Sequence, residues 1–519
     1  MKKLLFSAIA LFATSFAIAQ ITEPQLDQLV EKTLTTFNVP GIAVAIIKDG
    51  KIVISKGYGV SNIKTKQKVD GNTLFGIASN SKAFTASALA ILVDEGKIKW
   101  DDKVIKYLPE FRMYNDYVTN EFTIRDLLTH KSGLGLGAGD LMIWPDGHNF
   151  TPKDIVKNIH FLKPVSAFRT KYDYDNLLYV IAGEVIEKVS GKSWCDFVED
   201  RIMKPIGMTN SAASWTRLKD TSNTIVPHVP TNDKLEIIPR YTNHIFDAAA
   251  GLYTSTNDLS KWLIAQMNKG KYGDNQRLFS EKQHAEMWTS QTILPKGNAY
   301  PYKSNFRSYG LGWQLTDVNG FLQVSHTGGL DGIVTQTIMI PELQLGIIVL
   351  TNQQSGAAFT AISNTIKDSY LGLPYFDHLA YLSKDRQEKE DNADKITDEV
   401  WATVAKNQKD KSLKLNLKKY AGTYTDNWFG DVIITEKKGK LYLASVRSPR
   451  LAGEVFFYKD QNFVVKWNIQ SFHADAHLFF ELDANGKPVR IKMKAISPLT
   501  DFSYDFHDLD FTKVENNRI

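Results

Sequence analysis

Cysteine is almost absent from this 519-residue chain. The chain also has no long basic run, and it has no long apolar run after the N-terminus. A single cysteine, Cys195, excludes an internal disulfide, and its position within a helical pattern is typical of a buried core thiol. The net charge is +5, or +3 without Lys2 and Lys3, which is too little on a chain this long to indicate nucleic acid. Hydrophobic residues at 43% and charged residues at 23% indicate an ordinary globular protein.

The first nineteen residues have the pattern of a secretory signal peptide. Lys2 and Lys3 give a positive start, residues 4–18 are almost wholly apolar, and residues 17–19 form a small-x-small cleavage site before Gln20. A membrane anchor is the alternative, but the apolar run is short for a bilayer span. We therefore expect a periplasmic or secreted protein with no stable membrane anchor after cleavage.

The rest of the chain shows strand patterns on both sides of a helical middle, and its length predicts two or three domains. Residues 41–58 predict a hairpin around the turn Asp49-Gly50. Apolar periodicity predicts helices over residues 79–95, 123–129, 176–190 and 259–267, and strands over residues 321–324, 334–340 and 345–350. We expect an α+β fold in which one antiparallel sheet is flanked by helices and carries a mostly helical subdomain.

The composition changes near residue 375. Residues 376–414 are rich in charge and predict a solvated helical linker between a main domain, residues 20–375, and a C-terminal domain, residues 415–519. The C-terminal part is rich in strand patterns, which include two hairpins, and predicts a small β-barrel. Within it, the spacing of His473 and His477 invites a metal site, but the zinc signatures are absent. We expect neither a metal nor a cofactor.

One motif suggests chemistry before any family is considered. A serine hydroxyl becomes a nucleophile when a nearby base takes its proton, and on a helix Ser79 and Lys82 would lie on one face. Ser61 and Lys64 have the same spacing, but that copy lies in a polar loop where a hydrated lysine keeps its high pKa. Ser79 precedes an apolar helix in which Lys82 would be desolvated and its pKa lowered.

The chain then resembles the serine β-lactamase and penicillin-binding-protein superfamily, and within it the branch of class C β-lactamases, D-specific peptidases and esterases. The resemblance covers residues 22–370 and rests on these stretches in order: Ser79-Asn80-Ser81-Lys82, Tyr107-Leu108-Pro109-Glu110-Phe111, Leu127-Leu128-Thr129-His130-Lys131-Ser132-Gly133-Leu134, Ala250-Gly251-Leu252-Tyr253 and Tyr309-Gly310-Leu311-Gly312-Trp313. It implies the fold expected above and an acyl-enzyme formed on Ser79. The C-terminal part resembles a lipocalin-like domain of unknown function that is often appended to such hydrolases.

The second motif of this family is Tyr-x-Asn. It matches Tyr174-x-Asn176, which precedes an apolar helix as in the family, and also residues 241–243. The resemblance implies that Tyr174 takes part in proton transfer and that Asn176 hydrogen-bonds the substrate amide. Tyr172 is a competing phenol. The acylation base is either Lys82 or Tyr174, a choice that is disputed in the superfamily.

The third motif is Lys-Thr-Gly in most β-lactamases, but His326-Thr327-Gly328 in this chain. The resemblance implies that these residues bind the substrate and that the amides of Gly329 and Ser79 form the oxyanion hole. A histidine here is mostly neutral at pH 7, whereas a lysine can hold the carboxylate of a β-lactam. The substitution therefore favours a peptidase or an esterase.

These observations predict an exported serine hydrolase that acts on D-amino-acid peptides, of the D-Ala-D-Ala carboxypeptidase or D-aminopeptidase type, or on small esters. The expected partner is a small molecule or a peptide, including peptides derived from peptidoglycan. A β-lactamase is one alternative. A low-turnover penicillin-binding or cell-wall-sensing protein is another.

Overall fold

The computed structural model describes residues 20–231, 234–296 and 301–515. The expected signal peptide, residues 1–19, lies outside the described residues. Within the described ranges, no helix is long and apolar enough to cross a membrane.

The main domain is built on a sheet of eight antiparallel strands. Its strands are β1 (Gly41–Lys48), β2 (Lys51–Gly59), β3 (Thr292–Leu294), β4 (Arg307–Tyr309), β5 (Gln314–Val318), β6 (Phe321–Leu330), β7 (Ile333–Ile340) and β8 (Leu345–Thr351).

The sheet joins the two ends of the main domain, as the sequence predicts. Its order is β2-β1-β8-β7-β6-β5-β4-β3, so the first hairpin pairs with the last strand, with Val44 opposite Val349. Asp49 and Gly50 both have positive φ, at 52° and 72°, which is the turn that an Asp-Gly hairpin requires. The α+β fold class is therefore confirmed.

Helices cover both faces of the sheet. The helices of the described residues are α1 (Glu23–Phe37), α2 (Lys82–Asp94), α3 (Asp116–Glu121), α4 (Pro152–Asn158), α5 (Leu177–Ser190), α6 (Trp194–Val198), α7 (Asp247–Ala250), α8 (Thr256–Met267), α9 (Glu281–Met287), α10 (Gly356–Leu371) and α11 (His378–Lys409). α1 and α10 pack on one face around Val30, Phe37 and Ile362, and the apolar helix α2 lies in the larger core on the other face.

Two predicted helices differ in detail from the structure. The helix predicted from residue 79 begins at Lys82, because Ala78–Ser81 form a 3₁₀ turn in front of it. The helix predicted over residues 123–129 is only a 3₁₀ turn, Asp126–Leu128. There the Thr123 N–H donates to the Asp126 carboxylate at 2.9 Å, and the side chains of the pair cap this short turn in place of a full helix.

The charged segment after residue 375 folds as one long helix, α11, of 32 residues. Most of its side chains are solvated, but Ala393, Val400 and Val404 are buried. Its first half packs on α10, and its second half places Val400 and Val404 against Val464 of the C-terminal domain. The helix therefore joins the two domains through packed contacts rather than as a free linker.

The C-terminal domain is a closed barrel of eight antiparallel strands. Its strands are β9 (Gly422–Asp426), β10 (Gly430–Lys437), β11 (Lys440–Ser445), β12 (Ala452–Lys459), β13 (Asn462–Trp467), β14 (Ala476–Leu482), β15 (Pro488–Ala495) and β16 (Asp510–Lys513). Buried aromatic side chains, among them Tyr424, Phe463 and Phe480, lie in contact with one another in its core. The segment between β15 and β16 leaves the barrel and reaches the main domain.

Candidate active site

Ser79 lies in the 3₁₀ turn between the sheet and α2. The residue before it, Ala78, has a φ of 48°, a left-handed conformation that is uncommon for a residue with a Cβ and that is found at functional turns. Lys82 begins α2 and is completely buried, whereas Ser79 is partly exposed to a pocket. The Lys82 Nζ atom lies 3.0 Å from the Ser79 Oγ atom. The turn therefore presents a hydroxyl to solvent and a buried amine behind it.

The surroundings of Lys82 favour its neutral form. Its Nζ atom donates to the Asn176 Oδ1 atom at 2.7 Å and to the Ala249 carbonyl oxygen at 3.1 Å. Burial lowers the pKa of Lys82 to about 7, against the opposing effect of Asp140 and Asp175. An amine with a pKa near 7 can accept a proton at neutral pH.

Tyr174 is the tyrosine that shares this site. Its hydroxyl lies close enough to Ser79 for that side chain to lower the pKa of the phenol, and the Lys82 Nζ atom lies 4.8 Å from the centre of its ring. Burial holds the pKa of Tyr174 well above its usual value, so its phenol is protonated at neutral pH. Tyr241, from the second Tyr-x-Asn copy, donates instead to the Ile143 carbonyl oxygen at 2.7 Å. Tyr172 lines the pocket beside Tyr174.

Asp140 belongs to the site and has no signal in the sequence beyond a glycine-rich loop before it. It lies on a 3₁₀ turn, Asp140–Met142, and is fully buried. Its Oδ2 atom accepts a hydrogen bond of 2.7 Å from the Asn176 side-chain amide, whose oxygen already accepts from Lys82. Burial raises the pKa of Asp140 well above its usual value. Asn176 is therefore held between the buried amine and a buried carboxyl group.

His326 is a neutral side chain in this structure. Its Nδ1 atom lies 2.6 Å from the Thr327 carbonyl oxygen, which only accepts, so the proton is assigned to Nδ1. The Nε2 atom then accepts from the Tyr309 hydroxyl at 2.9 Å. Burial lowers the pKa of His326 to about 3, and the positive charge of Lys82 adds to this effect. Both ring nitrogens are thus engaged by the protein, and the ring carries no charge.

Strand β6 approaches the 3₁₀ turn that carries Ser79 closely at Gly328. A Cβ atom there would lie 2.2 Å from the Ile77 carbonyl oxygen, so only glycine allows this contact. Gly328 does not line the pocket, whereas Thr327 and Gly329 do. The pairing of β5 with β6 ends at Ser325, which leaves the β5 side of the residues after it without a neighbouring strand. The oxyanion hole of Ser79 and Gly329 remains a prediction.

The C-terminal barrel forms one wall of the pocket, which has a volume of about 470 Å³. The Ser503 hydroxyl donates to the Asp140 Oδ2 atom at 2.8 Å, and the Phe502 ring lies edge-on to the Tyr174 ring at 5.8 Å. The Asp505 carboxylate accepts from the backbone N–H groups of Gly139 at 2.6 Å and Leu141 at 3.0 Å. The sequence carries no signal for this contribution, because contacts between residues more than 320 positions apart leave no local pattern.

Ser61, Lys64 and Cys195 lie outside the pocket, whereas His473 lines it from the C-terminal domain. The Ser61 hydroxyl bonds to the Gln67 carbonyl oxygen, and Lys64 is exposed. The Cys195 thiol lies 3.3 Å from the Asp247 carboxylate, and burial raises its pKa. His473 precedes strand β14, so it does not share a strand face with His477 as the metal interpretation would require. Among the residues that the structure describes, no cluster of metal-ligating side chains occurs.

The fold, an antiparallel sheet with helices on both faces, is that of β-lactamase and penicillin-binding-protein-like proteins. The family model described as Beta-lactamase matches residues 26–370, and the Domain of unknown function (DUF3471) matches residues 406–513. The chain belongs to the Beta-lactamase family, and the expected superfamily and appended domain are confirmed.

Two named proteins and one solved structure are similar to this chain. The unguisins hydrolase ungD' of Aspergillus campestris is 28% identical over 358 residues, which are 66% of this chain and 64% of that protein. The protein flp of Staphylococcus aureus is 29% identical over 338 residues, which are 64% of each chain. This chain thus spans just under two thirds of the length of these relatives. The octameric penicillin-binding protein homologue from Pyrococcus abyssi has a TM-score of 0.62 at 22% identity, covering 95% of this chain and all of that one, and shares the fold.

Proposed function

We propose that this member of the family is a serine hydrolase that forms an acyl-enzyme on Ser79. The observation that carries the proposal is the 3.0 Å distance between the Ser79 Oγ atom and the Nζ atom of a completely buried Lys82. A lysine in that position, with its pKa lowered to about 7, is able to activate the hydroxyl. The hydrolase name of one relative supports hydrolysis as the reaction class.

The contacts suggest an order of events. Neutral Lys82 takes the proton of the Ser79 hydroxyl, either directly or with the neighbouring Tyr174, and the Oγ atom attacks the substrate carbonyl carbon. The oxyanion of the tetrahedral intermediate faces the expected amide donors of Ser79 and Gly329. The C–N or C–O bond to the leaving group then breaks, and the leaving group takes a proton from Tyr174 or Lys82. Water attacks the acyl-enzyme by the same route and releases the acid.

The substrate class follows from the third motif. A β-lactam or a peptide with a C-terminal carboxylate would present an anion to this region, and the neutral, fully engaged His326 offers no positive charge to it. Small esters, and D-amino-acid peptides that are bound without a positive charge for a C-terminal carboxylate, fit the neutral His326 better. We therefore propose a peptidase of the D-aminopeptidase type or an esterase, in preference to an efficient β-lactamase or a carboxypeptidase. Export to a periplasm or out of the cell is part of the same proposal.

A fluorophosphonate label tests the proposal directly. Wild-type protein should be labelled on Ser79, as found by mass spectrometry of its peptides, and should hydrolyse p-nitrophenyl acetate. Ser79→Ala should lose both properties. Ser61→Ala is the matched control, because it removes a serine with the same spacing to a lysine but outside the pocket, and it should keep both. Absence of label and turnover in folded wild-type protein would refute the proposal. Rapid hydrolysis of nitrocefin would instead restore the β-lactamase alternative.

A further inference from the structure

The C-terminal barrel meets the main domain with one of its two ends. Arg447, between β11 and β12, pairs with Asp154 at 3.0 Å, and Ser503, between β15 and β16, bonds to Asp140 at 2.8 Å. Each strand of the barrel pairs with the next along the chain, so consecutive connections alternate between its two ends. The turns β10–β11, β12–β13 and β14–β15 therefore lie at the opposite end, which we name the outer end.

Hydrogen bonds join the parts of the outer end into one surface. The Tyr420 hydroxyl, in the segment before β9, donates to the Gln461 side chain of the β12–β13 turn at 2.7 Å. The Lys419 Nζ atom donates to the Gly486 carbonyl oxygen of the β14–β15 turn at 3.2 Å, and the Lys419 carbonyl oxygen accepts from the Lys513 Nζ atom at 2.9 Å. The segment before β9 thus lies between two of the turns.

Lysine dominates the charge of the outer end. Six lysines there are exposed: Lys418, Lys437, Lys438, Lys440, Lys459 and Lys487. The carboxylates of the same turns are Glu436, Asp460 and Asp483. The flanking residues 410–416 and 513–515 add three lysines and two carboxylates. The outer end therefore carries an excess of positive charge, although the whole chain is close to neutral for its length.

Most of this positive charge has no partner in the protein. Within the described ranges, only Lys440 of the six lysines forms an ion pair, with Glu454 at 2.9 Å. The Glu436 and Asp483 carboxylates accept backbone N–H bonds within their own turns, at 2.7 and 2.8 Å. These two carboxylates thus hold the shape of the turns and leave the ammonium groups free to meet an external anion.

Three of the lysines surround a recess that fits a phosphate group. Lys437, Lys438, Lys440 and Tyr442 line a shallow recess of about 530 Å³ at the β10–β11 turn. Ammonium groups around one recess repel one another, and an anion bound between them relieves this repulsion. Lysine binds phosphate as a point charge, and tyrosine is enriched where protein meets the membrane–water interface.

The distribution of the lysines favours a flat partner over a linear one. They lie on three separate turns and on the segment before β9, spread across the outer end, whereas a protein that binds a linear polyanion has its cations along a groove or stripe. Leu413 is 37% exposed between Lys411 and Lys414. Exposed apolar side chains among cations are typical of surfaces that lie on a bilayer of anionic lipid.

We propose that the outer end of the barrel binds the phosphate headgroups of an anionic lipid bilayer. The binding is peripheral and reversible, since it depends on exposed charges. Phe502 and Ser503 line the pocket from the other end of the barrel, so the pocket faces away from the bilayer. The inference does not depend on the proposed acyl-enzyme chemistry, and it gives the barrel a second role besides its contact with the pocket.

Vesicle sedimentation tests the inference on the chain from residue 20 onward. We expect binding to vesicles of equal parts phosphatidylglycerol and phosphatidylcholine to exceed binding to pure phosphatidylcholine about 100-fold at low salt. Raising the salt from about 50 mM to about 500 mM should remove most of the difference, because salt screens exposed charges. Equal binding to both vesicles would overturn the inference. Binding to inorganic polyphosphate without binding to either vesicle would overturn the assignment to lipid.

A charge-neutralising variant then locates the binding surface. The triple variant Lys437→Gln, Lys438→Gln, Lys440→Gln should bind the phosphatidylglycerol vesicles about 100-fold more weakly, at about fivefold for each lysine near an anionic surface. The three side chains are exposed, so the urea midpoint and the turnover of p-nitrophenyl acetate should stay at their wild-type values. Unchanged vesicle binding in this variant would overturn the assignment to the outer end.

The matched control removes the same charge from the main domain. Lys64, Lys66 and Lys68 are exposed, and their joint replacement by glutamine should leave vesicle binding nearly unchanged. Equal losses in the two triple variants would show attraction by net charge alone and would overturn the inference.

Acetylation of lysines provides a second measurement that requires no variant. Phosphatidylglycerol vesicles should slow the acetylation of Lys438 and Lys487, as measured by mass spectrometry of the peptides, but not that of Lys64. Equal protection of all three lysines would contradict binding through the outer end. Loss of esterase activity in wild-type protein would refute the proposed function and leave this inference standing, so the two failures are distinguishable.

Discussion

The Ser503 hydroxyl and the Asp140 carboxyl group are joined by a hydrogen bond of 2.8 Å, although they lie in different domains. The same Asp140 oxygen accepts from Asn176, whose own side-chain oxygen accepts from Lys82. The barrel is thereby connected to the proposed catalytic base through two side chains. Ser503 lies outside residues 26–370, which match the Beta-lactamase family, and yet it should affect the rate of acylation.

Replacing Ser503 by alanine tests this connection. The Asp140 oxygen would keep only its bond to Asn176, and we expect the acylation rate to fall about threefold to tenfold, as for the loss of one buried hydrogen bond. The pH at which the rate is half-maximal should also move. Ser503→Thr keeps the hydroxyl and should restore both values. A rate and a pH profile equal to wild type in Ser503→Ala would show that the contact is not used in positioning.

The pH dependence of acylation should report Lys82. Its pKa is lowered to about 7, and the reaction requires the neutral amine, so kcat/KM on p-nitrophenyl acetate should rise with pH and level off above about 7. Lys82→Arg keeps a positive charge that cannot be lost in this range and should remove most of the activity at every pH. A profile that is flat from pH 5 to pH 9 would contradict the role of Lys82 as a base.

The two Tyr-x-Asn copies offer a matched comparison. Tyr174→Phe removes the phenol that neighbours Ser79, and we expect the acylation rate to fall about 100-fold or more, as for the loss of a general acid or base. Tyr241→Phe removes the hydroxyl that bonds to the Ile143 carbonyl oxygen and to the His148 Nε2 atom, and it should cost about 1–3 kcal/mol of stability while leaving activity nearly unchanged. The measurements are fluorophosphonate labelling rates and urea unfolding. The reverse pattern would assign the motif to Tyr241.

Adjacent glycines of β6 should respond differently to alanine. A methyl group on Gly328 would collide with the Ile77 carbonyl oxygen, and we expect Gly328→Ala to lower the free energy of unfolding by about 1–3 kcal/mol and to reduce activity. A methyl group on Gly329 meets no atom within 4 Å, so Gly329→Ala should change stability by less than about 0.5 kcal/mol. Urea unfolding measures both. Equal destabilisation by the two changes would contradict the close approach at Gly328.

The parts of the site that the sequence predicted are those with a local pattern. The spacing of Ser79 and Lys82, the apolar helix behind them and the Asp-Gly turn are all features of neighbouring residues. In the structure the Ser79 Oγ and Lys82 Nζ atoms lie 3.0 Å apart, although Ser79 lies in the 3₁₀ turn before α2 rather than on the helix. Asp140 was missed because it lies in an irregular loop, where no periodicity distinguishes a buried carboxyl from a solvated one. Ser503 was missed because it meets the site only through the tertiary arrangement of two domains.

For the segment after residue 375, the sequence likewise predicts local structure but not tertiary contacts. Its charge density indicated a solvated helix, and the helix is present. The apolar residues that fix it, Leu379 and Leu382 on the sheet domain and Val400 and Val404 on the barrel, lie among many charged residues, and the charge density alone does not show which surfaces they meet. Their role depends on surfaces of the sheet domain and the barrel, which a sequence pattern does not describe.

The length of helix α11 also determines the angle by which the barrel is rotated about the axis that joins the two domains. Each residue added to or removed from a helix turns the chain beyond it by about 100° and shifts that chain by about 1.5 Å. A single-residue insertion near the middle of α11 would therefore rotate Phe502 and Ser503 away from the pocket unless the helix were locally distorted. An insertion of seven residues, close to two full turns, would restore the angle but displace the barrel along the axis by about 10 Å. The length of this helix is thus a determinant of the active site.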